Sequence, residues 1–270
     1  MDTRPIGVFD SGLGGLTAVK ELQKVLPHED IVYFGDTGRV PYGSRSRETI
    51  IRYARQDMVF LKTKGVKMIV AACGTVSSVA EGLGDDLGIP FTGVLLPSAA
   101  SAVRATKSGR VGVIATTATI RSGSYRRELS QIRPGIEVFE KDCPLFVPLV
   151  ENGFISDSNQ VTRLVAEQYL APLRGKKIDT LILGCTHYPI IRSIISETMG
   201  KAVTLIDSGR ETALCCKNIL TRQNLLNEKE QNGSTSFYVS DRVEGFSSVA
   251  EIFLGRNVGC EVYRIDITQY

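Results

Sequence analysis

Short apolar runs alternate along the chain with longer segments in which apolar residues recur at helical spacing. The short runs predict strands at residues 6–9, 31–34, 68–72, 91–96, 111–115, 136–140, 180–183, 203–206, 237–240 and 261–266. The longer segments predict helices at residues 16–26, 47–64, from Pro97 onwards, 158–173 and, after Gly209, through Leu220, with a loop at 142–153 and a polar linker at 227–236. Strands that alternate with helices in this way predict an α/β fold with mostly parallel sheets.

The pattern of the first half recurs in the second half. The strand around Gly7 matches the strand around Gly112, 105 residues later, and Cys73 matches Cys185, 112 residues later. Because these offsets are nearly equal, we expect two similar α/β domains that each contribute one cysteine. We expect residues 1–96 plus 207–270 to form the first domain and residues 97–206 the second, with the active site in the cleft between them.

Composition narrows the class of protein. With 270 residues, the chain can bury a full hydrophobic core. Its 32 basic and 29 acidic residues leave a net charge of +3, which is too small and too dispersed for a nucleic-acid-binding surface. No apolar run approaches the roughly 20 residues that a membrane span requires, and no signal peptide precedes the first strand. We therefore expect a cytoplasmic protein that binds neither nucleic acid nor a membrane.

Two of the six cysteines occupy the same position relative to a predicted strand. Cys73 follows the run at 68–72, and Cys185 follows the run at 180–183 after a single glycine. Ligands of parallel sheets bind at the carboxyl ends of the strands, where a helix N-terminus can also favour a thiolate. A lone cysteine in an apolar run is more often a small core residue. Two in matched positions indicate a shared chemical role.

Three other interpretations of the motifs are weaker. The turn at residues 12–15 lacks the dinucleotide fingerprint, because its third glycine would fall at Thr17, although the turn could still bind a small anion. The chain has no C-x-x-C pair and only two histidines, so we expect no metal. A thiol hydrolase with a Cys185–His187 dyad would leave Cys73 without a role.

A two-base proton exchange at a carbon atom gives both cysteines a role. One cysteine would remove a proton from one face of the substrate, and the other would return a proton to the opposite face. Such a base works best when its pKa lies near the working pH. We expect Asp10 near one thiol and His187 near the other to tune their charge.

Five motifs, in order along nearly the whole chain, resemble those of bacterial glutamate racemases, cofactor-independent members of the aspartate/glutamate racemase superfamily. The motifs are Phe9-Asp10-Ser11-Gly12-Leu13-Gly14-Gly15, Phe34-Gly35-Asp36-Thr37, Val40-Pro41-Tyr42-Gly43, Phe146-Val147-Pro148-Leu149-Val150-Glu151-Asn152-Gly153 and Leu183-Gly184-Cys185-Thr186-His187-Tyr188-Pro189. The resemblance implies that the protein interconverts L- and D-glutamate without a cofactor or metal and supplies D-glutamate for peptidoglycan, and thus for cell-wall biogenesis and cell shape. It also implies a homodimer.

The resemblance assigns roles to individual residues. It implies that Cys73 and Cys185 are the acid/base residues, and that Asp10, His187 and Glu151 assist them. The substrate-binding positions that it implies are Asp10, Ser11, Pro41, Tyr42, Gly43, Gly74, Thr75, Thr116, Thr119, Thr186 and His187.

One position departs from the family pattern. Asn usually follows the first cysteine in the family, whereas this chain has Gly74. The loss of a hydrogen bond to a charged group typically costs about 1.5–3 kcal/mol. Two alternatives therefore stay open beside glutamate racemisation: a racemase for another small acidic amino acid such as aspartate, and a catalytically weak glutamate-binding protein.

Overall fold

The computed structural model describes residues 2–79, 82–241, 243–244, 246–255 and 262–270. The strands in these residues are β1 (Ile6–Asp10), β2 (Ile31–Gly35), β3 (Met68–Ala71), β4 (Phe91–Gly93), β5 (Arg110–Ala115), β6 (Glu137–Asp142), β7 (Thr180–Leu183), β8 (Thr204–Asp207), β9 (Thr235–Val239) and β10 (Val262–Arg264). The strands pair in parallel throughout the two sheets that they form. The predicted α/β class with parallel sheets is confirmed.

Helices connect the strands. They are α1 (Leu16–Val25), α2 (Arg47–Thr63), α3 (Gly74–Val79), α4 (Leu95–Ala105), α5 (Thr117–Ser122), α6 (Ser124–Ile132), α7 (Phe146–Glu151), α8 (Gln160–Arg174), α9 (Arg192–Met199), α10 (Ser208–Arg222) and α11 (Phe246–Leu254), with 3₁₀ turns at Tyr42–Ser44, Tyr188–Ile191 and Ile267–Gln269. None of the helices in the described ranges is long and apolar enough to cross a membrane.

The two sheets share one strand order. The first sheet runs β10-β9-β2-β1-β3-β4 and the second runs β6-β5-β7-β8. If β5 is matched to β1, then β6, β7 and β8 match β2, β3 and β4 in the same order. The sequence offset between the halves therefore reflects two sheets of the same topology, and β9 and β10 extend the first sheet beyond β2.

The strands that lead to the site lie in the interior of the protein. Every residue of β1, β2, β3 and β7 is buried. Strands covered by helices on both faces need continuous apolar runs, because neither face meets water. This explains why these four strands carry a single charged residue, Asp10, which is the last residue of β1.

Two predicted boundaries are wrong, and in both places a proline lies in the first turn of a helix. The strand predicted at 91–96 ends at Gly93, and α4 begins at Leu95; the loop predicted at 142–153 contains α7. Each helix carries a proline, Pro97 or Pro148, as its third residue. Proline is tolerated there because the first N–H groups of a helix have no partner within the helix. The last predicted strand is observed as β10, and residue 261 lies outside the described residues.

Candidate active site

The turns that carry Cys73 and Cys185 lie against each other. Each cysteine stands two residues beyond its strand, β3 or β7, and the two are only 5% and 6% exposed. A Cβ atom at Gly74 would lie 2.5 Å from the carbonyl oxygen of Gly184 and 4.0 Å from Cα of Cys185. The backbone of one turn thus touches the backbone of the other, and the two cysteine turns are brought together.

Cys73 lies in a buried and electronegative environment. Its Sγ donates to Oγ of Ser11 at 3.4 Å. Burial, together with the negative charge of Asp10, raises the pKa of Cys73 to about 12, and the hydrogen bond with Ser11 opposes that rise. At neutral pH this cysteine is therefore a thiol, which can give a proton.

Asp10 is the last residue of β1 and is 2% exposed. Its carboxylate accepts a hydrogen bond from the backbone N–H of Gly12 at 3.0 Å. Burial raises the pKa of Asp10, while the charge of His187 and the nearby backbone N–H groups lower it. The N–H of Gly12 in the glycine-rich turn thus binds a carboxylate of the same chain. Asp10 interacts electrostatically with both Cys73 and His187.

Cys185 lies beside a histidine that contacts a glutamate. Nδ1 of His187 lies 3.8 Å from Sγ of Cys185 and 3.3 Å from Oγ1 of Thr186, and Nε2 lies 2.9 Å from Oε1 of Glu151. Burial by itself lowers the pKa of His187, but the hydrogen bonds to Cys185 and Glu151 outweigh it and raise the pKa to about 10. His187 is therefore an imidazolium at neutral pH, and its positively charged ring lies beside Sγ of Cys185.

The glycine-rich turn after β1 supports the Cys185 turn. A Cβ at Gly14 would lie 2.3 Å from Oγ1 of Thr186 and 2.6 Å from Nδ1 of His187. Oγ1 of Thr17 donates to the carbonyl oxygens of Gly14 and Thr186, at 2.9 and 3.0 Å. The first half of the fold therefore holds the turn that the second half contributes. Thr17 could not be predicted as a site residue, since nothing in its local pattern marks a contact 169 residues away.

Hydroxyl groups from both halves meet beside the cysteines. Oγ1 of Thr75 and Oγ1 of Thr116 lie 3.3 Å apart, and Thr116 donates to Oγ1 of Thr119 at 3.0 Å. Thr116 also caps α5 by accepting from the N–H of Thr119. A Cβ at Gly43 would lie 3.9 Å from both Thr75 and Thr116. Four of the predicted substrate-binding residues are thus brought together.

The loop around Pro41 and Tyr42 presents its backbone, and the Tyr42 phenol points away into the protein. The Tyr42 hydroxyl donates to Asp36 and lies 3.1 Å from Oδ2 of Asp57. Arg39 contacts both carboxylates, at 2.6 Å for Asp36 and 3.0 Å for Asp57. Asp36 and Asp57 are fully buried. This buried cluster fixes the loop and holds the Tyr42 hydroxyl in the protein interior.

Phe253 is a second residue that the sequence analysis missed. It is buried in α11, and its ring meets the imidazole of His187 edge-on, with the centroids 5.1 Å apart. The sequence around Phe253 is an ordinary apolar segment. It does not indicate a contact with His187, because the two residues are far apart in the sequence. Among the described residues, no group of three or more His, Cys, Asp or Glu side chains is arranged to hold a metal.

Each of the two similar α/β halves has a thiol just beyond the corresponding strand, β3 or β7, and each thiol has a charged neighbour. These features define an acid–base enzyme. The chain belongs to the Asp/Glu/Hydantoin racemase family, whose model matches residues 17–216. The family resemblance inferred from the motifs is confirmed.

Individual relatives match over almost the full length. The chain is 47% identical over 268 residues to a glutamate racemase of Geobacter metallireducens, covering 99% of this chain and 98% of that protein. It is 49% identical over 253 residues to a glutamate racemase of Chlorobaculum tepidum, with 93% and 92% covered. The glutamate racemase of Francisella tularensis, solved in complex with D-glutamate, superposes with a TM-score of 0.92 at 41% identity, and each chain is covered completely.

Proposed function

We propose that this protein is an amino-acid racemase that interconverts L- and D-glutamate, with Cys73 and Cys185 as its two acid/base residues. The observation that carries the proposal is the contact between the two cysteine turns at Gly74 and Gly184. Relatives that are named glutamate racemases, and the D-glutamate bound in the Francisella tularensis enzyme, support glutamate as the substrate. D-glutamate made in this way would supply peptidoglycan synthesis.

Each turnover moves one proton off the α-carbon and another onto it. The thiolate of one cysteine takes the α-proton and becomes a thiol, and the electron pair remains on the substrate. The thiol of the other cysteine then gives its proton to the opposite face and becomes a thiolate, so the charge of the protein is unchanged. Inversion requires the two groups on opposite sides, because a single side chain reaches only one face.

The two cysteines have neighbours of opposite charge. Cys73 is held as a thiol by burial and by Asp10. Cys185 lies beside the imidazolium of His187, whose other nitrogen contacts Glu151. This arrangement prepares Cys185 to act as the base and Cys73 as the acid for one enantiomer. The reverse reaction starts with the protonation states exchanged.

Substrate binding would use the hydroxyls and backbone groups around the cysteines. Thr75, Thr116 and Thr119 form a hydroxyl cluster next to the backbone of Gly43. Hydroxyl and N–H donors of this kind suit a carboxylate, whose charge they stabilise by short hydrogen bonds. We assign Ser11 and Thr186 to the same binding surface, since each lies beside one of the two cysteines.

We further propose that the two sheets belong to two domains, residues 1–96 plus 207–270 and residues 97–206. The chain would then pass from the first domain to the second near the start of α4, which follows the edge strand of the first sheet. It would return just before α10, which follows β8. The contacts of Gly74 with Gly184 and of Thr17 with Thr186 would be contacts between domains.

We also propose that the protein works in the cytoplasm as a homodimer. All five cysteines in the described residues are free, which suits a reducing compartment. Val161 and Leu164 lie one turn apart on α8 and are 48% and 71% exposed, which makes this helix a candidate for the contact between protomers. Analytical ultracentrifugation tests this assignment: a monomer at micromolar concentration would contradict it.

Incubation with L-glutamate in heavy water tests the main proposal. Chiral analysis follows the appearance of D-glutamate, and proton NMR follows loss of the α-proton signal. A racemase yields D-glutamate that carries deuterium at the α-carbon, whereas a binding protein yields neither change. A thiol hydrolase would act only on amides or esters, and a parallel incubation with L-aspartate tests the alternative substrate.

Cysteine variants test the two-base assignment. Cys73→Ala and Cys185→Ala should each abolish racemisation, because each removes the only acid or base on one face. Cys215→Ala, in a helix away from the site, is the matched control and should retain wild-type activity. Near-full activity in either Cys73→Ala or Cys185→Ala would contradict the assignment.

A further inference from the structure

The hydroxyl of Thr17 joins the start of α1 to the Cys185 turn (residues 184–187). Oγ1 of Thr17 shares its proton between the carbonyl oxygens of Gly14, at 2.9 Å, and Thr186, at 3.0 Å. We propose that Thr17 is a positioning residue: its hydroxyl holds the Cys185 turn in the orientation that proton transfer requires. This inference rests on the proposed racemase function.

The contact lies in the protein interior. Thr17 and Thr186 are only 6% and 7% exposed. The carbonyl of Gly14 also accepts from the backbone N–H of Thr17 at 3.0 Å, so it keeps a partner when the hydroxyl is removed. The loss of the hydroxyl therefore falls on the carbonyl of Thr186. A buried carbonyl without a donor is costly, so the turn is favoured to move until this oxygen meets another donor.

The start of α1 is a fixed support for this hydrogen bond. A Cβ atom at Gly15 would lie 2.6 Å from Cβ of Asp10 and 3.1 Å from Cβ of Ala72. The helix start thus packs directly on the ends of β1 and β3, which are buried strands of the first sheet. Thr17 fastens the turn of the second sheet to this support.

Movement of the Cys185 turn acts on one side of the site. Because a peptide unit is planar and moves as a unit, a shift of the Thr186 carbonyl is passed to the neighbours in the chain, Cys185 and His187. Cys73 is held separately, at the end of β3 and by its hydrogen bond to Ser11 at 3.4 Å. Loss of the hydroxyl should therefore displace Cys185 and leave Cys73 in place.

A displaced Cys185 should lower kcat. A misplacement of 1 Å at a reacting group can cost about 100-fold in rate, so a smaller shift should cost on the order of tenfold. We expect this loss in Thr17→Val, which keeps the shape of the side chain but cannot donate. Thr17→Ser keeps the hydroxyl and loses only a methyl group, so it should retain most of the wild-type kcat.

Deuterium incorporation shows which side has moved. In heavy water, deuterium in the recovered starting enantiomer reports return of an exchanged proton to the same face, and deuterium in the opposite enantiomer reports inversion. From the enantiomer whose α-proton goes to Cys73, a displaced Cys185 delivers its proton slowly, so return gains over inversion. From the other enantiomer, Cys185 has to make the return, so inversion gains. In Thr17→Val the ratio of return to inversion should rise several-fold from one enantiomer and fall from the other.

Thr106→Val is the matched control. Thr106 is also 6% exposed, and its hydroxyl also makes two hydrogen bonds, to Oδ1 of Asp179 at 2.6 Å and from the N–H of Gly109 at 3.0 Å. Asp179 and Gly109 directly precede β7 and β5, at the ends of the strands opposite to the cysteines. This variant should lower stability while leaving kcat and both deuterium ratios at wild-type values.

Three results would overturn the inference. They are wild-type kcat and ratios in Thr17→Val, a Thr17→Ser variant as slow as Thr17→Val, and ratios that move in the same direction from both enantiomers. The ratios report on the folded enzyme alone, so they do not depend on how much of a variant folds. If valine prevents folding altogether, Thr17→Ala removes the same hydroxyl and should give the same pair of opposite changes. Absence of racemisation in the wild type would instead refute the proposed function.

Discussion

Nε2 of His187 lies 2.9 Å from Oε1 of Glu151, while Nδ1 of the same ring faces Sγ of Cys185 at 3.8 Å. The imidazole thus links a side chain that is 49% exposed to a buried sulfur. The charge of a half-exposed glutamate therefore reaches a buried thiol through the histidine ring.

Glu151→Gln should weaken catalysis by removing this charge while preserving the shape of the side chain. We expect kcat to fall on the order of tenfold, well below the roughly 10⁴-fold effect of a fully buried orienting carboxylate, because solvent screens Glu151. Steady-state kinetics in both directions measure the effect. Glu167→Gln on the exposed face of α8 is the control, and a Glu151→Gln variant with wild-type kcat would contradict the role of this contact.

The activity should fall at alkaline pH as His187 loses its proton. The pKa of His187 is raised from 6.5 to about 10, below the value of about 12 for Cys73, so His187 should set the alkaline limb of the rate profile. In Glu151→Gln the limb should move to lower pH. A limb at the same pH in wild type and variant would show that another group titrates there.

The same histidine should make stability depend on pH. Its proton is bound more tightly in the folded protein than in the unfolded chain. The stabilisation is therefore complete below pH 6.5 and is lost as the pH rises to about 10. Urea unfolding across this window should show a smaller loss of stability in His187→Gln than in the wild type. Parallel pH profiles for the two proteins would contradict this prediction.

Gly14→Ala should disable the site by displacing the Cys185 turn. The new Cβ would overlap Oγ1 of Thr186 at 2.3 Å and the ring of His187 at 2.5 Å. We expect a loss of about 100-fold or more in kcat. Gly175→Ala, whose Cβ would have only one neighbour, at 4.0 Å, is the control and should retain activity. Comparable kinetics for the two variants would show that the turn adapts.

Asp57→Asn should be tolerated, although Asp57 is a fully buried acid. Burial and the neighbouring Asp36 raise the pKa of Asp57 well above its ordinary value, which favours its protonated form. The Tyr42 hydroxyl has one proton, which it donates to Asp36, and it can accept one from Asp57. An amide reproduces that pattern, so we expect a cost of about 1 kcal/mol or less in the free energy of unfolding.

Asp57→Ala is the informative comparison. It removes the partner of Nη2 of Arg39 and one of the two carboxyl contacts of the Tyr42 hydroxyl, which keeps Asp36. A buried polar group left without a partner costs about 1–3 kcal/mol. Because the cluster supports the loop at Tyr42 and Gly43, the KM for glutamate should also rise. Urea denaturation and steady-state kinetics measure both effects. An equally large loss of stability in Asp57→Asn would show that the ionised form is needed.

Lys67→Met should destabilise the fold without changing the chemistry. Nζ of Lys67 is fully buried and lies 2.6 Å from Glu29, 2.7 Å from the carbonyl of Asp2 and 2.7 Å from that of Leu225. Removal of one partner of a buried ion pair costs about 3–5 kcal/mol. Lys24→Met, from an exposed pair, should cost about 1 kcal/mol or less. Similar unfolding midpoints for both variants would contradict the prediction.

The sequence predicted the fold class and the matched cysteines because both are local. An uncharged run such as 180–183 indicates a strand that is covered on both faces. The residues that follow the run must therefore lie at the carboxyl ends of the strands. The cysteine that follows a buried strand at Cys73 recurs at Cys185, and this local pattern indicated two similar halves. The loop predicted over α7 was wrong because proline in a first helical turn has the same local appearance as proline in a loop. The start of α4 was placed two residues late because Leu95 and Leu96 continue the apolar run of the preceding strand.

Tertiary structure decided what no local pattern contains. The donation from Thr17 to Thr186, the packing of Phe253 on His187 and the backbone contact of Gly74 with Gly184 each join residues that are far apart in sequence. Distance across the cleft, burial and the resulting pKa of His187 depend on how the two sheets approach each other. The sequence by itself determined which chemical groups are available; only the folded chain decided their separation and their charge, because both depend on which atoms exclude water from the cleft.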